Sequence, residues 1–148
     1  MARAVASLLV VALGGCGGDP ASEGVPECVE LDLDVASCIP LFPATFDRIY
    51  EQVFAGADGQ SECAAGGGAC HGNADALGAS HGMVFAADRD AVHASVLTFI
   101  EAGDPSCGPL SVRVHTDDPD IQMPPGSTQL DAGTRCAIAQ WVEAGAQR

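Results

Sequence analysis

The chain contains no lysine: its six basic residues are all arginines, set against 20 acidic ones, for a formal net charge of −14. A protein that tracks a phosphate backbone needs a basic stripe, so nucleic acid is excluded as a partner. Anionic lipid headgroups match such a surface equally poorly. Aromatic residues are scarce at 5%, with a single Trp and a single Tyr, so few large side chains are available to fill a core. No apolar run after residue 13 approaches the ~20 residues that a helix needs to span a bilayer. Gly-x-Ser-x-Gly, His-Glu-x-x-His and phosphate-loop patterns are missing, which leaves hydrolase and kinase readings without residues. Glycine (18), proline (9) and cysteine (7) are plentiful instead, and they point to long loops joining a few compact elements. With 148 residues and 47% apolar composition, the chain has the material for one domain with a real core.

The leader carries its own chemistry. Arg3 supplies a positive n-region, and Ala4 to Leu13 form an apolar run too short for a membrane span. The run ends in Leu13-Gly14-Gly15-Cys16, which resembles the lipobox of bacterial lipoproteins. That resemblance implies export, removal of residues 1–15, and acylation of Cys16; several acyl chains give a lasting anchor where one binds only marginally. Gly17 and Gly18 follow in place of an Asp, which by the same resemblance suggests the outer membrane of the cell envelope. Export places the rest of the chain where disulfides persist. Setting Cys16 aside leaves an even six: Cys28, Cys38, Cys63, Cys70, Cys107 and Cys136.

Residues 16–43 read as a tether and lead-in, and residues 44–148 as the domain proper. Gly17 to Pro26 is small, polar and acidic. Val29 to Val35 alternates apolar and acidic residues, as either a short strand or a stapled loop would. Three helices are expected after it. The first opens at Thr45 and carries Phe46, Ile49, Tyr50, Val53 and Phe54 on one stripe. The second opens near Asp88, carries Val92, Val96, Phe99 and Ile100, and ends at Gly103-Asp104-Pro105. The third opens near Asp131, carries Cys136, Ile138, Trp141 and Val142, and ends at Gly145. Residues 56–82 and 103–130 read as loops.

Both loops hold ligand-type side chains. The first contains Cys63-Ala64-Ala65-Gly66-Gly67-Gly68-Ala69-Cys70-His71, and the second Met123-Pro124-Pro125-Gly126. A helix, cysteines ending in Cys-His, a Met-Pro and a final helix with Trp141 together resemble a c-type cytochrome. The tail from Met123 through Trp141-Val142-Glu143-Ala144-Gly145-Ala146 looks like the cytochrome-c-like domains of bacterial lipoproteins. The resemblance implies an all-α bundle whose first and last helices pack through Phe46, Tyr50 and Trp141. It also implies covalent haem c attached at Cys63 and Cys70, with iron held by His71 and Met123, the ligand pair that raises the potential. The function implied is one-electron transfer by a carrier rather than an enzyme, to a redox partner with a basic docking face. Six residues separate the two cysteines where the family's motif has two, and three glycines offer the conformational freedom to loop the insertion out. A second reading stays open: a haem-free domain of the envelope with Cys63 and Cys70 in a disulfide. In either case Cys28 is expected to pair with Cys38, and Cys107 with Cys136.

Other ligand-type residues have bland readings. His81, His93 and His115 are scattered. His93 reads as a packed or half-exposed core residue of the second helix, while His81 and His115 are each a rival sixth ligand or a surface or packing residue, and Met83 is a further rival ligand. Zinc on Cys63, Cys70 and His71 lacks a second pair of clustered ligands. Asp117, Asp118 and Asp120 lack the glycine and terminal glutamate of an EF-hand loop and read as a solvated turn.

Overall fold

Each expected helix starts at the residue whose side chain can satisfy its free amides. The computed structural model describes residues 24–55, 63, 70–79, 82–85, 88–126 and 128–148; the leader, Cys16 and His81 lie outside them. Helix α1 (Phe46–Ile49) is capped by Thr45, whose hydroxyl accepts from the Arg48 amide, and it widens into a π-helical turn over Tyr50–Phe54. The stripe of Phe46, Ile49, Val53 and Phe54 is buried along its whole length. Helix α2 (Arg89–Val96) begins where the Asp88 carboxylate accepts from the Asp90 and Ala91 amides, and it tightens to a 3₁₀ turn at Leu97–Phe99. Arg89 ties α2 to the first helix, lying 3.1 Å from both Asp47 and Glu51 and 4.8 Å above the Tyr50 ring.

Within the segment expected to be loop lies a further helix, α3 (Pro109–His115). Proline suits its first position, where an amide would go unpaired anyway. Gly108 before it has φ +87°, and a Cβ there would stand 2.8 Å from the Ile100 backbone, so only glycine allows that approach. Leu110, Val112 and Val114 alternate with polar residues in sequence, which imitates a strand. The helix instead buries these three together with Ser111 and His115, since it is enclosed on several sides. Helix α4 (Ala132–Glu143) is capped by Asp131, which accepts from the Thr134 amide at 2.9 Å.

Among the described residues the structure is helical, with no strand, only two isolated bridges. The fold is therefore all-α. No helix among these residues is long and apolar enough to cross a membrane. The first and last helices meet as expected: the Phe46 and Trp141 rings are 5.7 Å apart, and Tyr50 packs on Phe46 at 6.1 Å. From Phe46 the ring contacts continue to Phe54 at 6.4 Å and on to Phe85, which stacks on Phe54 at 4.4 Å. His93 fills the other side of Phe46 at 4.5 Å, and its Nε2 donates to the Ala146 carbonyl. It is a packing residue.

The lead-in is a strap across the helices rather than a local loop. The Val29 amide donates to Ser106, the Gly108 amide to Glu27, and the Leu41 amide to Gly133. Gln140 of α4 donates to the carbonyls of Val35 and Cys38. The disulfides follow this path and correct the expected pairing: Cys28 bonds to Cys107, and Cys38 bonds to Cys136. All four expected cysteines are bonded, but Cys28–Cys38 and Cys107–Cys136 do not form. The reason is that residues 29–37 travel from the turn before α3 to the flank of α4, so each strap cysteine meets the cysteine of the element beneath it. The alternating stretch Val29 to Val35 is thus a stapled loop.

Candidate functional site

Cys63, Cys70 and His71 are brought together by one backbone bond, because the His71 amide donates to the Cys63 carbonyl at 2.9 Å. Both cysteines are free thiols and half-buried, while the four others described are in disulfides. Burial pushes the Cys63 thiol up to about 12, and the neighbouring Cys70 adds to the effect. The thiolate is the nucleophilic and metal-binding form, so Cys63 stays a neutral thiol in the folded protein. Gly78 lets the next turn approach closely, since a Cβ there would come 3.0 Å from the Cys70 carbonyl group. The glycine-rich insertion at residues 64–69 lies outside the described residues.

The His71 ring is held from two sides. Its Nδ1 donates to the Met83 carbonyl at 2.9 Å, and its ring centroid lies 5.0 Å from that of Phe85, the two rings tilted. The Phe85 amide in turn donates to the His71 carbonyl at 2.8 Å. With Nδ1 committed to a carbonyl, Nε2 is the nitrogen left for a ligand, the arrangement that orients metal-bound histidines. Through Phe85, Phe54 and Phe46 the site is packed continuously to Trp141 of the closing helix.

Met123 sits in the second loop, half-buried, with its amide donating to the Arg113 carbonyl at the side of α3. The peptide bond from Met123 to Pro124 is cis. The Arg113 guanidinium donates to the Ile121 carbonyl, and Gln129 donates to the Thr116 carbonyl, so the Met-Pro-Pro loop is folded back onto the end of α3. Met83 is the methionine whose carbonyl meets His71, and its side chain is buried in the main core.

The remaining acidic and metal candidates resolve simply. Asp118 accepts from the Asp120 amide and closes an exposed turn, as a solvated acidic segment does. Among the described residues no three His, Cys, Asp or Glu side chains are gathered so as to hold a metal ion.

One feature escaped sequence reasoning. His115, only 3% exposed, has neither ring nitrogen hydrogen-bonded, and Ser111 one turn before it is likewise buried without a partner for its hydroxyl. Beside it, Arg135 of α4 is paired with Asp32 of the strap at 2.5 Å and donates to the Leu130 carbonyl. Burial pulls the His115 pKa down to about 4; Arg135 contributes in the same direction and Asp32 opposes it. The signal was the i, i+4 pair Ser111 and His115, visible only once residues 109–115 are read as helix. Compared with protein families, curated proteins and solved structures, the chain matches none.

Proposed function

We propose that this chain is a lipid-anchored, extracytoplasmic electron carrier of the c-type cytochrome kind, with haem attached through Cys63 and Cys70. The observation that carries the reading is the state of the cysteines: the two that flank the Cys-His step are free thiols, while the four others described are consumed in disulfides. The donor chemistry fits the group. Two thiols are available for thioether bonds, His71 has Nε2 free with its ring already oriented by the Met83 carbonyl, and Met123 supplies a thioether in a proline-flanked loop. When bound, haem supplies a one-electron iron couple whose potential the His/Met pair raises. Phe85, itself stacked on Phe54, packs against one side of the His71 ring. The acidic surface, at −14 overall, steers a basic partner and makes association salt-sensitive.

The test is the visible spectrum of the protein co-expressed with cytochrome maturation machinery. A Soret band that stays with the denatured polypeptide is expected. His71→Ala should abolish assembly, and Met123→Ala should keep the haem while lowering the potential and admitting small ligands. A colourless wild type with a Cys63–Cys70 disulfide refutes the reading. It would favour a haem-free, disulfide-stapled interaction domain, which the close Phe54–Phe85 stack against His71 also suits.

A further inference from the structure

The strap carries an apolar tip that the core does not use. Ile39 is 86% exposed and Leu41 68%, far more than Leu97 at 40%, the next large apolar side chain exposed among the described residues. The two flank Pro40, while Phe42 turns inward and is buried. The tip is held firmly. Cys38 just before it is bonded to Cys136, Gln140 donates to the Cys38 carbonyl, and the Leu41 amide donates to Gly133. No charged residue occurs from Val35 to Phe46, in a chain with 20 acidic and six basic residues. Where Leu41 packs against Gly133, the Asp131 carboxylate lies beside that glycine and is engaged in capping α4.

We propose that Ile39-Pro40-Leu41 is a membrane-contact surface that seats the domain on the bilayer carrying its own anchor. The inference rests on lipidation of Cys16, and chain length and charge select the bilayer as occupant. The eight residue steps from Cys16 to Gly24, the first described residue, reach at most about 29 Å at full extension. A folded domain of this size has a radius of gyration of about 14 Å, so the tether holds the domain within about one domain diameter of the lipid. The acidic remainder of the surface is repelled by anionic headgroups, whereas an uncharged tip with two aliphatic side chains enters the interface without that repulsion. The tether keeps the local lipid concentration high, so shallow insertion suffices to set the orientation.

The experiment places the lipidated full chain in phosphatidylcholine vesicles with brominated acyl chains and reads tryptophan quenching relative to unbrominated vesicles. Ile39→Trp is expected to lose at least half of its added emission, and Leu97→Trp little of its own. Equal quenching at both positions, or none at residue 39, overturns the proposal. A dimer in detergent that is abolished by Ile39→Asp would assign the tip to a second copy and also overturn it. Vesicle flotation is read separately. A wild type that does not float removes the lipid anchor and the proposal together, whereas a floating protein without quenching at residue 39 defeats the tip alone.

Discussion

His115 should make the fold acid-sensitive well above the range where carboxylates titrate. Its pKa falls from 6.5 to about 4 because burial disfavours the imidazolium, with Arg135 repelling it further and Asp32 partly offsetting both. The unfolded chain therefore binds a proton that the folded chain refuses. The stabilisation is complete above the unfolded value and is lost as pH falls through the window down to the folded one. The full shift corresponds to about 3 kcal/mol, and between about pH 7.5 and 4.5 the loss is about 2.5 kcal/mol. Urea unfolding at intervals across that range measures it directly. His115→Leu replaces a buried ring without hydrogen bonds by an apolar side chain of similar size, so its stability near neutrality should stay within about 1.5 kcal/mol of wild type. Its stability curve should then run nearly flat where wild type falls. The difference between the two proteins cancels the general charge effect of protonating an acidic surface. A His115→Leu protein with the wild-type slope would refute the assignment.

Three further outcomes follow from the packing and the thiols. With its pKa raised from 9.0 to about 12, Cys63 presents about a thousandfold less thiolate than an ordinary cysteine near pH 8; iodoacetamide should label it slowly in the folded haem-free protein and rapidly in urea, as mass spectrometry would report. Non-reducing peptide maps should show Cys28 with Cys107 and Cys38 with Cys136, and Cys38→Ala/Cys136→Ala should cost about 4.5 kcal/mol for a span of 98 residues; a 28–38 peptide would contradict the strap. Phe46→Ala removes the ring that joins Trp141, His93 and Phe54, so a loss of about 3–5 kcal/mol is expected in denaturant melts.

The helix starts were legible because their causes are local. Thr45, Asp88 and Asp131 each cap amides two or three residues ahead, and each is followed by an apolar stripe that a helix alone can bury together. The Cys70-His71 step was legible for the same reason, since the two are neighbours in the chain, whereas the free state of Cys63 and Cys70 was not. What sequence could not decide is which distant segment each strap residue meets. Cys28 and Cys38 look like partners at close spacing, yet the strap between them runs from the turn before α3 to α4, and the bonds span 79 and 98 residues instead. Helix α3 was hidden because enclosure on several sides erases the one-sided stripe by which a helix is recognised. His115 was hidden with it: a histidine acquires its low pKa only from the burial and the Arg135 guanidinium that tertiary packing places beside it. Local periodicity and capping write the elements into the sequence, whereas the burial of a charge and the mate of a cysteine exist only after those elements have packed.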